Sequence, residues 1–423
     1  MTLPKNIRTN IVPILILITV AIGVIFYQFV EIPKYLHYDE VEFAKLALSL
    51  RNKGYIPYSP LATGHATLYF YTLLLSLNIF GISTFALRFP SALFGVVNVV
   101  LIYILMRQVF DKDKHQTFIS FVTALIFISM RWYFNFARFS FEVTFLLMLE
   151  LSSLICLFLY RKNKKILPLL FSGIFAGLAY NSYTAGRLFV ALPLLLIFID
   201  ALKEKFFPLT RKKLQPVLYF LIPFIILILP ISIYLSQNRD IRVYQLFMVM
   251  NDKMELTEKI AFVWQNIVKT FAMFNFKGDP NGVHNFPNKP ALNPILGILS
   301  VFGLCLSLWK WKKLANSLFI IYFFISLLPT LLVYPWENPH MLRTFTALPA
   351  IVYFIGVTIQ FLIDRLGKKI NKNFIFTAIM LLIVASMIYE LRTYFLYQKP
   401  VLEESFRKQQ SLEFHLGQEG VRL

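Results

Sequence analysis

Apolar residues run in blocks of about 20 from Ile11 to Tyr397, each long enough at 1.5 Å per residue to cross a hydrocarbon core of roughly 30 Å. Polar residues are confined to the gaps. The blocks predict spanning helices at 11–30, 88–108, 117–131, 142–160, 166–181, 187–202, 215–235, 294–310, 314–333, 344–363 and 374–395, with 65–82 ambiguous. Between 236 and 293, Ile260, Val263, Ile267, Val268 and Phe271 recur at helical spacing, with Glu258, Lys259, Gln265 and Lys269 elsewhere on the wheel. That pattern predicts an amphipathic helix lying on the membrane surface. Gly278-Asp279-Pro280-Asn281-Gly282 follows it as a turn that sends the chain back toward the next span.

Charge orients these spans. Arg107 with Lys112 and Lys114, Arg161 to Lys165, Lys203 to Lys213, Lys310 to Lys313, and Arg365 to Lys372 are short basic connectors that mark the cytoplasmic side. Lys5 and Arg8 join that side only if 65–82 does not cross. The expectation is therefore about eleven spans, a cytoplasmic N-terminus, and two long outer loops at 31–87 and 236–293. Residues 1–397 form one transmembrane domain, and 398–423 a short non-cytoplasmic tail. The first block follows two basic residues as a signal peptide would, yet it is long and lacks a small-residue cleavage site, so it reads as a retained helix.

Composition agrees: 57% of residues are apolar, 15% charged, and mean hydropathy is +0.64, whereas soluble domains carry about 25% charged residues. The net charge of +20 is spread over connectors between spans, which argues against a nucleic-acid partner. Cys156 and Cys305 fall within apolar blocks and have neither redox nor metal-ligand spacing, so they read as small core residues. Lys, Ile, Asn and Phe usage points to the plasma membrane of a prokaryote. Aromatic clusters such as Trp132 to Phe136 read mostly as an interfacial belt.

Candidate chemistry gathers at the outer ends of the spans. Asp39, Glu40 and Glu42 follow the first span. Asp39 with Glu42 three residues on fits a helix capping box, and the same carboxylates suit acid–base work or a divalent cation at Asp39 and Glu40. Arg88, Arg187 and Arg343 sit at outer span ends, where each taken singly reads as snorkelling to lipid phosphates, and together they suit an anionic lipid substrate. Glu150, deep in a span, reads as a structural or second-layer hydrogen-bonding group.

Seven short stretches carry a resemblance: Tyr38-Asp39-Glu40, Gly64-His65-Ala66-Thr67-Leu68-Tyr69, Leu87-Arg88-Phe89-Pro90-Ser91, Ala137-Arg138-Phe139-Ser140-Phe141-Glu142, Gly177-Leu178-Ala179-Tyr180, Gly278-Asp279-Pro280 with His284-Asn285, and Pro339-His340-Met341-Leu342-Arg343. In order and spacing the chain resembles the GT-C fold membrane glycosyltransferases of family 39 type, which include protein mannosyltransferases and lipid A aminoarabinose transferases. The resemblance implies an all-α polytopic fold with juxtamembrane helices at 39–51 and 65–82. It also implies transfer of a sugar from a polyprenyl-phosphate carrier to an acceptor at the outer face, with inversion.

On that resemblance Asp39 is the general base, Glu40 its support, and Glu142 the second acidic position, where many relatives carry Asp. His65, Arg138, His340 and Arg343 are candidates for the departing phosphate. Ala66 replaces a proline found beside the histidine or lysine in relatives, which weakens the match at His65. His284 and Asn285 belong to the acceptor side or to loop structure. No cofactor is implied, a divalent cation at Asp39 and Glu40 staying open. Expected partners are the polyprenyl-phosphate sugar, membrane lipids and a lipid, glycan or protein acceptor. The competing readings are a lipid-linked saccharide flippase, which Glu150 favours, and an inactive relative that binds the carrier. No glycine-rich phosphate loop points to a nucleotide sugar.

Overall fold

The computed structural model describes residues 5–203 and 211–418, and it is helical apart from one short hairpin. Helix α1 (Lys5–Phe26) leads into a first loop built from α2 (Tyr38–Ser49), the antiparallel strands β1 (Tyr58–Ser59) and β2 (His65–Ala66), and α3 (Leu68–Phe80). The bundle continues through α4 (Thr84–Val109), α5 (Gln116–Ser129), α6 (Arg131–Phe136), α7 (Val143–Asn163), α8 (Ile166–Tyr180), α9 (Gly186–Phe189), α10 (Ala191–Lys203) and α11 (Arg211–Gln237). A second loop holds α12 (Ile241–Leu246) and α13 (Leu256–Asn275), after which come α14 (Pro294–Trp309), α15 (Leu314–Leu331), α16 (Leu348–Leu366), α17 (Lys372–Arg392), α18 (Lys399–Ser405) and α19 (Leu412–Gln418). The connector expected at Lys203 to Lys213 lies largely outside the described residues, as do the side chains of Lys5 and Arg8.

Six helical stretches among the described residues are long and apolar enough to cross a membrane: 84–109, 143–163, 214–237, 314–331, 345–366 and 372–405. Ile11–Phe26, Gln116–Ser129, Ile166–Tyr180 and Pro294–Trp309 are apolar but shorter, and so is Leu68–Phe80. The last, α3, has 13 residues and rises about 20 Å, less than the hydrocarbon core. Length alone does not set α3 apart, since α5 with 14 residues and α8 with 15 rise scarcely further. Close helix approach is made possible by small residues: a Cβ at Gly173 would strike the Phe220 carbonyl, and one at Gly303 the Phe354 carbonyl.

Three local expectations need correction. Helix α2 starts at Tyr38, and its cap is His37, whose Nδ1 accepts from the Asp39 amide at 3.2 Å while Glu40 Oε2 accepts from the His37 amide at 3.1 Å. Asp39 is thereby released from capping. Cys305 is exposed rather than buried, and Cys156 half-buried. The helix expected to end at 395 passes through a π-helical turn (Thr393–Gln398) into α18, and the residues beyond fold back: Phe406, Leu412 and Leu416 are buried, and Lys408 bridges Leu36.

Helix α13 is amphipathic as its spacing predicts. Asn266, Thr270, Met273 and Phe274 face the protein, whereas Leu256, Ile260, Trp264 and Val268 form an exposed apolar stripe four residues apart. The charge-based topology can be checked with cysteines at two exposed positions in a background lacking Cys305. Asn281→Cys should react with an impermeant maleimide on intact cells and Lys164→Cys should not; the opposite pattern would invert the assigned sides.

Candidate active site

The start of α2 places two neighbouring carboxylates in different settings. Glu40 is fully buried and accepts from Arg88 Nε at 2.8 Å, Arg88 Nη2 at 2.9 Å, the Ser140 amide at 3.0 Å and the His37 amide. Arg88 is equally buried and spends its other donors on the carbonyls of Pro33 and Tyr35, so it does not snorkel. Both Glu40 oxygens are therefore committed to hydrogen bonds within the protein. The Asp39 side chain is 44% exposed, with Oδ2 at 3.5 Å from His37 Nδ1. Burial acts to raise its pKa, but the hydrogen bond and charge of His37, followed by the charges of Arg242 and His284, hold the carboxyl below its ordinary 3.8.

A second acid, Glu142, shares the Arg242 charge with Asp39. Glu142 immediately precedes α7 and is fully buried, with Oε1 at 3.0 Å from His65 Nδ1 and 3.9 Å from Arg242 Nη1. Neither contact has hydrogen-bond alignment, so both Glu142 oxygens retain acceptor capacity. Arg242 in turn lies 2.8 Å from His65 Nε2 and over the Tyr183 ring at 5.1 Å. His65 is fixed by the hairpin, where Gly64 adopts φ +90° and a Cβ would collide with the Tyr58 hydroxyl.

Arg242 is the residue the sequence reading did not single out. Its position follows from Asp240, which caps α12 and accepts from Arg187 Nη1 at 2.6 Å and from the Tyr58 hydroxyl at 3.2 Å. Arg187 thus tethers the second loop and is not a snorkelling group. Buried beside the Asp240 charge, the Tyr58 phenol is pushed up to about 12 and stays a donor at neutral pH.

The second loop closes the other wall. His284 Nδ1 lies 2.9 Å from Asp279 Oδ2, which also accepts from the Met341 amide at 2.8 Å, and the His284 and His340 rings are 4.6 Å apart. Asp279, His284 and His340 present ligand atoms all within 4.8 Å of one another, a spacing open to a metal. Asn285 is a brace: it donates to the carbonyls of Asp279 and Lys289 and accepts from Arg131. His340 is held well below the ordinary 6.5 by burial and then by Arg343, His284 and Arg242, so it is neutral at physiological pH. Arg343 pairs with Glu337 at 2.8 Å.

Arg138, an expected phosphate ligand, stands apart, and Glu150 has the structural setting its position suggested. Arg138 donates to the carbonyls of Val24, Ile25, Tyr27, Gln28 and Ile32, satisfying the frayed end of α1. Its remaining donor, Nε, is buried. Glu150 accepts from the Tyr322 hydroxyl at 2.5 Å inside the bundle. His65, Glu142, Asp39, His284, His340 and Arg343 are brought together, with Arg242 linking them electrostatically.

Residues 64–234 match the family model described as dolichyl-phosphate-mannose-protein mannosyltransferase. Undecaprenyl phosphate-alpha-4-amino-4-deoxy-L-arabinose arabinosyl transferase 2 of Proteus mirabilis is 31% identical over 144 residues, 33% of this chain and only 25% of its own length. Among solved structures, ArnT from Cupriavidus metallidurans aligns at TM-score 0.57 and 12% identity over 93% of this chain and 77% of its own. The Archaeoglobus fulgidus oligosaccharyltransferase aligns at TM-score 0.54 and 13% identity over 95% of this chain and 56% of its own. The Cupriavidus protein has also been solved with undecaprenyl phosphate bound, aligning at TM-score 0.52.

Proposed function

By fold the chain belongs with the GT-C membrane glycosyltransferases of family 39 type, and on that premise we propose that it moves a sugar from a polyprenyl-phosphate carrier to an acceptor at the non-cytoplasmic face. The observation that carries this reading is the half-exposed Asp39 carboxylate in the field of a half-buried cation, Arg242, which itself sits 3.9 Å from Glu142. A solved relative that holds undecaprenyl phosphate supports the donor class.

Asp39 takes the proton of the acceptor hydroxyl as its oxygen bonds to the anomeric carbon, and the bond from that carbon to the carrier phosphate breaks. Attack opposite the leaving group inverts the centre. The electron pair departs on the phosphate, where Arg242 and Arg343 supply positive charge and neutral His340 a hydrogen bond. Glu142 holds His65 and Arg242 in place, and its unspent oxygens accept from a sugar hydroxyl. Glu40 acts as a positioning residue through Arg88. Arg242 thus takes the phosphate role expected of Arg138.

The test is release of polyprenyl phosphate by the purified full chain from a panel of polyprenyl-phosphate sugars with membrane acceptors. Release is expected with at least one pair. Tight carrier binding without release from any pair would overturn the reading in favour of a binding protein or flippase. Arg242→Gln should raise the donor KM about 10- to 150-fold, as loss of one charge-assisted phosphate contact costs ~1.5–3 kcal/mol; an unchanged KM would remove it from the phosphate role.

A further inference from the structure

At the end of the bundle opposite Asp39 the helices line an open cavity of about 1160 Å³. Helix α7 sets the separation, since Glu142 precedes its first turn and Lys162 lies in its last, about 30 Å of helical rise away. The lining combines apolar side chains such as Ile104, Phe158, Leu306 and Phe361 with seven Lys or Arg residues against three Asp.

Part of that charge is already spent. Arg161 pairs with Asp200 at 2.6 Å, Asp113 accepts from Gln360 at 2.6 Å, and Arg107 donates to Gln116 at 3.2 Å. Lys112, Lys162 and Lys313 form no side-chain hydrogen bond or ion pair among the described residues, and Arg365 contacts only the Phe361 ring, at 5.6 Å. Asp111, Asp113 and Asp364 oppose these four cations, Arg107 and Lys310, so the cavity keeps a positive surplus. A rim that served orientation alone would need cations on the connectors, not around a hollow. Concave low-dielectric walls concentrate such a potential, and apolar surface beside it suits an amphiphile with an anionic head. The buried oxygen of Gln108 in the lining also lacks a protein partner.

We propose that this cavity binds the headgroup of an anionic phospholipid of the cytoplasmic leaflet, with Lys162, Lys313 and Arg365 on the phosphate and the apolar wall along the first methylenes. The site is separate from the outer cluster and independent of the transferase reading. In the cell it would make stability depend on the charge of the surrounding inner leaflet.

The experiment titrates phosphatidylglycerol into the full-length protein in nanodiscs of zwitterionic lipid and reads binding by native mass spectrometry and thermal shift. Undecaprenyl phosphate and inorganic phosphate form parallel arms. The triple variant K162Q/K313Q/R365Q should bind phosphatidylglycerol at least about tenfold more weakly, each Lys or Arg near a lipid phosphate contributing ~1 kcal/mol, with undecaprenyl phosphate affinity unchanged. Equal phosphatidylglycerol affinity in the two proteins would overturn the proposal. So would a variant-sensitive affinity for undecaprenyl phosphate or for inorganic phosphate, which would assign the cavity to another phosphate source. If the triple variant does not fold, Lys162→Gln and Lys313→Gln are compared singly, each expected to weaken binding about threefold or more, and no change in either would be equally decisive.

Discussion

Asp39→Asn is expected to lower turnover by about 10²–10⁴-fold while leaving carrier binding and thermal stability close to wild type, the range lost when a positioned base is removed. The amide keeps the shape of the carboxylate but cannot take the acceptor proton. Its side chain is 44% exposed and its nearest partner is His37, so little packing is lost with the charge. Single-turnover release of polyprenyl phosphate measures the effect, and turnover near wild type would take the proton-accepting role from Asp39. The pH profile provides a second readout. Because the carboxyl is held below 3.8 in the folded protein, activity persists down to that region and falls as pH drops through the lowered value. Arg242 is one of the charges that lower it, so Arg242→Gln should move this acidic limb upward, toward 3.8. A downward shift would contradict the electrostatics of the cluster.

The sequence makes visible what is local and periodic. Apolar blocks predict the long helices, the spacing on 256–275 predicts an amphipathic helix, and the motifs around Asp39, His65, Glu142, His284 and His340 mark residues that do converge. Long-range pairing is hidden from it. Arg242 sits on a six-residue helix within a long loop, and it reaches His65 and Glu142 only because Asp240 is tied to Arg187 and Tyr58. No periodicity announces that tether, although Asp240 just before Ile241 has the look of a cap. Arg138 and Arg88 are misleading for the opposite reason. Each is an arginine near an outer span end, and each is consumed by backbone carbonyls or a carboxylate from another part of the chain. The capping box was displaced by two residues because an imidazole nitrogen can accept an amide proton as a side-chain oxygen does.

Breaking the Glu40–Arg88 pair is expected to destabilise the protein by ~3–5 kcal/mol, the cost of leaving one member of a buried, hydrogen-bonded ion pair alone. Arg88→Leu strands the Glu40 carboxylate away from water, with only the amides of Ser140 and His37 to receive, and frees the carbonyls of Pro33 and Tyr35. Those residues form the link from α1 to α2, so the loss also unfixes the helix that carries Asp39. Glu40→Leu leaves the guanidinium buried with two carbonyls. The double variant Glu40→Leu/Arg88→Leu should recover part of the loss, because neither charge is then stranded, and this non-additivity in thermal unfolding is the signature of a structural pair. Activity in the double variant should follow the amount of folded protein. Single variants that melt like wild type yet have no turnover would place Glu40 in the chemistry instead. The separation of roles matters for the cluster as a whole: one carboxylate is fully bonded and holds the helix start, and its neighbour is left exposed, ionised and available to a proton.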